Sequence, residues 1–168
     1  MQRDELRAVQ EPLKQRYRDD PASALVTLQA SGALDAGISC SVQTGRALAE
    51  AGLHPASGGD GTLLCSGDML LQALVACAGV TLRAVATSLE ISVSGSVHAE
   101  GDLDFRGTMA VDRDARVGFA AIRLWFDLES DASAEELETL LRLTERYCVV
   151  LHTLTDPPRI SVSQVTSA

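Results

Sequence analysis

The sequence predicts an α+β domain in which antiparallel strands pack on two central helices. Apolar and polar residues alternate through 91–111 and again through 122–128, as they do in half-buried strands. The run from Met69 to Leu82 carries no charge, which is typical of a helix in a protein core. Ser133 and the glutamate three residues later mark a second helix. Strands and helices that come in separate groups favour the α+β class.

An amphipathic helix is expected at the start of the chain. Residues 3–19 are rich in charge, and their apolar side chains recur at helical spacing: Leu6, Val9, Leu13 and Tyr17. Pro12 lies inside this stripe, where a proline kinks a helix or divides it. We interpret residues 1–22 as a helical extension and 23–168 as one folded domain, which is long enough to bury a sizeable core.

Two strands and a loop are predicted next. Residues 24–30 and 38–43 have the pattern of strands, and the glycine-containing segment 31–37 is expected to form the turn between them. A glycine-rich loop follows at 57–61. It lacks the lysine and the hydroxyl residue that a phosphate-binding loop requires, so we interpret it as a flexible connection.

A long apolar helix is predicted over 67–88. Ser66 is the expected N-cap, and Asp68 places a negative charge in the first turn, where the helix dipole favours it. Because no side of this segment is polar, we expect the helix to be buried all round.

The second half of the chain should supply three more strands. Residues 91–100 and 103–111 are predicted to form a hairpin around the turn at Gly101 and Asp102, and 122–128 is predicted to add a strand. On the first of these strands His98 shares the polar face, so we interpret it as a solvated side chain.

The end of the chain is predicted to be mostly helical. Ser133 should cap a helix that runs to about Cys148, and a short helical turn should follow over 149–154. Alternating apolar residues at Ile160 and Val162 predict a last strand.

Charge and composition exclude several classes of function. The 168 residues carry a net charge of −9, which would repel the phosphates of nucleic acids and of anionic membranes. The apolar run from Met69 to Leu82 is too short to span a bilayer, and the first residues lack the apolar core of a signal peptide. We therefore expect a cytoplasmic protein with no nucleic-acid partner and no membrane partner.

The chain has four cysteines, and two of them stand out by position. Cys77 lies in the middle of the apolar helix, and Cys148 lies at the end of the last long helix. Cys40 and Cys65 are expected to be structural thiols, since a buried free cysteine commonly acts as a small apolar residue. No pair has the spacing of a zinc ribbon or a thioredoxin motif.

Two segments resemble the OsmC/Ohr family of thiol-dependent hydroperoxide reductases. The first is SGDMLLQALVACAGVTL at 66–82, which resembles the family's central helix with its cysteine. The second is LTERYCVVLHTL at 143–154, which resembles the segment with the second cysteine. The order of the elements is also similar, and the resemblance extends from about residue 24 to residue 165.

The resemblance implies an OsmC-like fold, an intertwined homodimer and a thiol peroxidase. Cys77 would be the peroxidatic cysteine that attacks an organic or lipid hydroperoxide, and Cys148 would resolve the resulting sulfenic acid as a disulfide. An external dithiol would restore both thiols. No bound cofactor and no metal ion is expected.

The group that activates Cys77 is left open by the sequence. The family has a glutamate where this chain has Gly67, and it has an early arginine that 31–37 lacks. The candidates that remain are Arg46, Asp68 and His152, with Arg83 a further arginine off the face of Cys77. The family's usual Cys-Pro also reads Cys148-Val149 here.

Two other functions are open at this point. Without the family's acid and arginine, the chain could be a non-catalytic dimer that binds a small apolar ligand and has structural thiols. Metal binding through Cys148 and His152, which lie one helical turn apart, would need further ligands that the sequence does not place.

Overall fold

A computed structural model describes residues 2–19, 32–34, 39–44, 47–110 and 112–165. The helices and strands follow one another in this order: α1 Arg3–Asp19, β1 Gly32–Leu34, β2 Ser39–Thr44, β3 Ala47–Gly52, β4 Leu64–Cys65, α2 Ser66–Leu89, β5 Ser94–Leu103, α3 Phe105–Thr108, β6 Phe119–Glu129, α4 Ala134–Tyr147 and α5 Val149–Thr155. A 3₁₀ turn at Pro55–Ser57 precedes the glycine-rich loop. The α+β class is confirmed.

Helix α1 confirms the predicted amphipathic helix and continues through Pro12 without a division. Its first turn carries Asp4 and Glu5, which the positive end of the helix dipole stabilises. The guanidinium of Arg3 lies 2.7 Å from the carboxylate of Glu90, the C-cap residue of α2. This exposed ion pair ties the start of α1 to the end of the central helix.

The first sheet has the order β1-β2-β3-β4, with β3 and β4 parallel and the other pairs antiparallel. Strand β2 matches the prediction at 38–43, whereas the predicted strand 24–30 lies outside the described residues. The turn predicted over 31–37 is wrong in part, because Gly32–Leu34 pairs with β2. Strand β3 was not predicted, since its alanine-rich sequence has little strand propensity and its pairing with β2 decides its conformation.

Helix α2 confirms the predicted apolar helix, but its first residue is Ser66 and its N-cap is Cys65. Its buried residues form one stripe: Leu74, Ala78, Leu82 and Ala86. The expectation that every side is buried is wrong within a single chain, because Val80 is 72% exposed. The spacing of four residues in the stripe aligns it along one face, which packs on α4 and β5.

The core lies between α2 and α4. Leu140 of α4 is fully buried and clusters with Leu82, Ala86 and Val93. Among the helices of the described ranges, α2 is the one long and apolar enough to cross a membrane, a criterion that the core helix of a soluble protein also meets. The uncharged run from Met69 to Leu82 is too short by itself to span a bilayer, but the helix continues to Leu89.

The second sheet consists of β5 and β6 in antiparallel register. The predicted hairpin is wrong: β5 continues through Gly101 to Leu103, and the chain then forms helix α3 in place of a second strand. Asp104 caps α3 by accepting a hydrogen bond from the N–H of Arg106 at 3.0 Å, which favours helix at this point. The strand predicted over 122–128 is confirmed as part of β6, and β6 is the strand that pairs with β5.

The C-terminal helices agree with the sequence, and the last strand does not. Ser133 and Glu136 form the predicted capping box at the start of α4, and α5 matches the helical turn predicted over 149–154. The predicted strand at Ile160 and Val162 is wrong, since both side chains are more than four-fifths exposed and the segment has no regular structure. Alternation of apolar and polar residues does not by itself produce a strand when no neighbouring strand pairs with the segment.

Candidate functional site

Two cysteine side chains meet where α2 passes the junction of α4 and α5. Cys77 lies near the middle of α2, and Cys148 is the single residue that ends α4 and precedes α5. Both are free thiols, and they are hydrogen-bonded to each other. Packing of α2 against both C-terminal helices therefore brings together two residues that are far apart in the chain.

The first turn of α5 points at the sulfur of Cys77. The backbone N–H groups of Val149 and Val150 both donate hydrogen bonds to it. These groups belong to the first turn of a helix, where N–H groups have no carbonyl of their own helix to bond. The hydroxyl of Thr81, one turn further along α2, adds a third donor.

These donors favour the thiolate form of Cys77. Partial burial raises the pKa of this thiol, because a charged sulfur is less well solvated there. Hydrogen bonds from the N–H of Val150, from Cys148 and from the N–H of Val149 more than offset that effect, so the pKa of Cys77 lies below its ordinary value. A low pKa and a partly accessible sulfur are the properties of a reactive cysteine.

Cys148 has the opposite environment. Its side chain is fully buried, and burial raises the pKa of its thiol above the ordinary value. Hydrogen bonds from the N–H groups of Leu151 and Val150 lower this pKa in part, whereas the neighbouring Cys77 raises it further because two adjacent sulfurs are costly to charge together. The pair thus consists of one thiol that ionises more readily than an ordinary cysteine and one that ionises less readily.

The activating groups suggested by the sequence do not surround Cys77. Arg46 lies outside the described residues. Asp68 is exposed in the first turn of α2, about 14 Å along the helix axis from Cys77 at the usual rise per residue. The side chain of His152 is exposed, and its contact with Cys148 is made by its backbone N–H, which donates to the Cys148 carbonyl at 2.9 Å.

The remaining candidates also lie elsewhere. Arg83 donates from its guanidinium to the carbonyl of Val93 at 2.7 Å and so braces the chain beyond α2. Cys65 is half-buried at the start of α2, about 18 Å along the axis from Cys77. Cys40 lies on β2. Within the described ranges no cluster of three or more metal-ligating side chains occurs, which leaves Cys148 and His152 without further ligands there.

The donors that act on Cys77 were not predicted from the sequence. The spacing of four residues between Cys77 and Thr81 could have identified the hydroxyl, since it places both on one helix face. The amides of Val149 and Val150 carry no side-chain signal, because any residue except proline supplies the same N–H. Their role depends on the packing of α2 against α5.

An open groove of about 730 Å³ lies between β6 and the helices that carry the two cysteines, although neither cysteine lines it. Leu74, one turn before Cys77, and Leu151, one turn after Cys148, are part of its wall. Further apolar side chains come from β6, including Ile122 and Phe126. The groove can hold an apolar molecule of moderate size within one helical turn of each cysteine along the chain.

A protein-family model matches most of the chain. This model, described as OsmC-like protein, matches residues 59–163, which include Cys77, Cys148 and every element from β4 to α5. No curated protein matches the chain.

Solved structures share the fold at low sequence identity. An OsmC-like protein from Mycoplasma pneumoniae superposes with a TM-score of 0.66 at 17% identity and covers 79% of this chain and 89% of its own. A hypothetical protein from Aquifex aeolicus VF5 has a TM-score of 0.61 at 16% identity, with coverage of 79% and 90%. An organic hydroperoxide resistance protein OsmC from Legionella pneumophila, described as a predicted redox protein, has a TM-score of 0.58 at 17% identity, with coverage of 79% and 91%.

Proposed function

Because the chain belongs to the OsmC-like protein family, we propose that it reduces organic hydroperoxides with the Cys77–Cys148 pair. The observation that carries this proposal is the contrast between the two thiols. Cys77 is partly accessible with a lowered pKa, and its hydrogen-bond partner Cys148 is buried with a raised pKa. A nucleophile next to a protonated second thiol is the arrangement that a two-cysteine peroxidase needs.

The reaction would proceed in three balanced steps. The thiolate of Cys77 attacks the distal oxygen of ROOH, the O–O bond breaks, and the alcohol leaves with a proton from the medium. The sulfur of Cys148 then attacks the sulfenic acid of Cys77, so that an S–S bond forms, the S–O bond breaks and water is released. An external dithiol supplies two electrons and two protons to restore both thiols and is itself oxidised to a disulfide.

The groove supports an apolar substrate. Its wall includes Leu74 and Leu151, which lie three residues from Cys77 and Cys148 in the chain, and transfer of an alkyl or aryl group of ROOH from water to this wall would be favourable. Hydrogen peroxide has no such group. We therefore infer a preference for organic over inorganic peroxide.

A steady-state assay tests the proposed activity. Wild-type protein with dithiothreitol should consume cumene hydroperoxide, and Cys77→Ser should abolish this consumption. When dithiothreitol is left out, Cys148→Ser should complete about one turnover and then stall or over-oxidise, because no second thiol protects the sulfenic acid. Cys65→Ser is the matched control and should retain activity, since Cys65 is remote from the pair. A wild-type protein that consumes no organic hydroperoxide with any dithiol would contradict the proposal.

A non-catalytic ligand-binding protein is the second candidate. The observation in its favour is that, in the described part of the chain, no arginine or lysine is among the groups that act on Cys77. In that case the groove would bind an apolar ligand, and Cys77→Ser would leave binding unchanged. An apolar fluorescent probe titrated against wild-type and Cys77→Ser protein, beside the peroxide assay, separates the two functions.

We also propose that the protein is a homodimer. Helix α2 leaves apolar side chains such as Val80 and Leu70 exposed, and a second copy could cover them. Light scattering should then give a mass of about 36 kDa, twice the 17.8 kDa of one chain. A mass equal to that of one chain at micromolar concentration would contradict the dimer, but it would not bear on the proposed thiol chemistry.

A further inference from the structure

We propose that Cys148 has a second role before any peroxide arrives: its protonated thiol donates a hydrogen bond to the sulfur of Cys77 and keeps that sulfur reactive. This inference rests on the proposed function, because it concerns the same pair. It makes Cys148 a positioning residue in the reduced protein as well as the resolving residue in the oxidised one.

The direction of the hydrogen bond follows from burial. Backbone N–H groups reach both sulfurs, so they do not distinguish the two thiols. Burial does, because Cys148 is fully buried whereas Cys77 is partly accessible. A negative charge is much more costly on the sulfur that lacks water. The proton shared by the pair therefore stays on Cys148, and the charge resides on Cys77. The lowered pKa of Cys77 and the raised pKa of Cys148 agree with this assignment.

The backbone of Cys148 is held from both sides. Its N–H donates to the carbonyl of Thr144 at 3.0 Å, and its own carbonyl accepts the N–H of His152 at 2.9 Å. The two bonds belong to α4 and α5 respectively, so both helices fix the position from which the thiol points at Cys77. A donor fixed in this way loses little conformational freedom when it binds the thiolate.

Neutral hydrogen-bond donors thus stabilise the thiolate of Cys77, as a nearby cation does at many reactive thiols. The groups that lower the pKa of Cys77 are the amides of Val149 and Val150, the thiol of Cys148 and the hydroxyl of Thr81. A thiol is a weak donor, but a hydrogen bond to a charged acceptor is stronger than one between neutral groups. We therefore expect the loss of this donor to raise the pKa of Cys77 measurably.

Substitutions at Cys148 separate its two roles. Serine retains a donor and cannot form a disulfide, whereas alanine and valine retain neither function. We would measure the rate of alkylation of Cys77 by iodoacetamide against pH, quantified by mass spectrometry on the Cys77 peptide. The midpoint for Cys148→Ser should stay close to that of the wild type. The midpoint for Cys148→Ala should rise by about one pH unit, which is about tenfold slower alkylation at a pH below both midpoints.

Two further variants keep the test decisive. Cys148→Val fills the buried volume but has no hydrogen-bond donor, so its midpoint should rise as far as that of Cys148→Ala. If the alanine variant does not fold, the valine variant takes its place in the test. Thr144→Val is the structural control, because Thr144 is buried beside Cys148 but its hydroxyl donates to the carbonyl of Leu140 at 2.8 Å. Its midpoint should match that of the wild type.

Two outcomes would overturn the inference. In the first, the alanine and valine variants keep the wild-type midpoint, so that the thiol donates nothing. In the second, serine raises the midpoint as far as alanine does. Alkylation requires no peroxide, so a protein that fails to consume hydroperoxide can still pass this test, and the two failures are distinguishable.

Discussion

Replacing Val149 by proline would remove one hydrogen bond to Cys77 and leave the fold intact. Val149 is the first residue of α5, the position at which helices accept proline best. The preceding residue, Cys148, has φ −73° and ψ 105°, in the extended region that a residue before proline prefers. The side chain of Val149 is 70% exposed, so the ring meets no core atoms.

The size of the effect follows from the donor that is lost. A hydrogen bond to a charged group contributes roughly 1.5–3 kcal/mol net, and the lower end applies here because the N–H of Val150 and the thiol of Cys148 remain. One pKa unit corresponds to about 1.4 kcal/mol. Val149→Pro should therefore raise the alkylation midpoint of Cys77 by about one pH unit.

Alkylation of the Cys77 peptide by iodoacetamide, followed from about pH 5 to pH 10, measures this midpoint. Val149→Ala is the matched control, since it shortens the side chain and retains the N–H. Thermal unfolding of both variants checks that the fold is unchanged. A folded proline variant with the wild-type midpoint would refute the reasoning that the α5 amides stabilise the thiolate.

Other predictions concern stability. Leu140→Ala should cost roughly 2–5 kcal/mol in urea unfolding, since Leu140 is fully buried in the core, and a smaller loss would contradict that placement. Ser133→Ala should cost roughly 1 kcal/mol through the lost cap. Hydrogen bonds from Ser133 hold the pKa of Glu136 below its usual value, so the stability from this cap is present at neutral pH and is lost as the pH falls through that lowered pKa. Ser133→Ala should weaken this acid dependence without abolishing it, because the backbone N–H of residue 133 still donates to the Glu136 carboxylate. Gly101→Val should destabilise, because a Cβ there would lie 2.4 Å from the Phe119 ring; unchanged melting would contradict this contact.

Local signals in the sequence predicted the helices well. The capping box at Ser133, the apolar run in α2 and the helical stripe of α1 each depend on neighbours within a few residues. Strands depend on partners far along the chain, and the errors fell there. The segment after Leu103 alternates like a strand but forms α3, because Asp104 caps a helix and β6 occupies the edge of β5.

The same distinction applies to the site. The resemblance identified Cys77 and Cys148, but the sequence offered charged side chains as activators, and the groups that act on Cys77 in the described residues are backbone amides and neutral donors. The hydrogen bonds from backbone amides explain one departure from the family pattern. Valine at 149, where the family usually has proline, supplies an N–H that proline lacks, at a site where the sequence shows no matching early arginine.

A single-turnover experiment tests the central claim most directly. Reduced protein would be treated with one equivalent of cumene hydroperoxide and mapped by mass spectrometry without reductant. We predict one equivalent of cumyl alcohol and a disulfide between the Cys77 and Cys148 peptides, with Cys40 and Cys65 still reduced. Thiols that all stay reduced, or a disulfide that joins any other pair, would contradict the account.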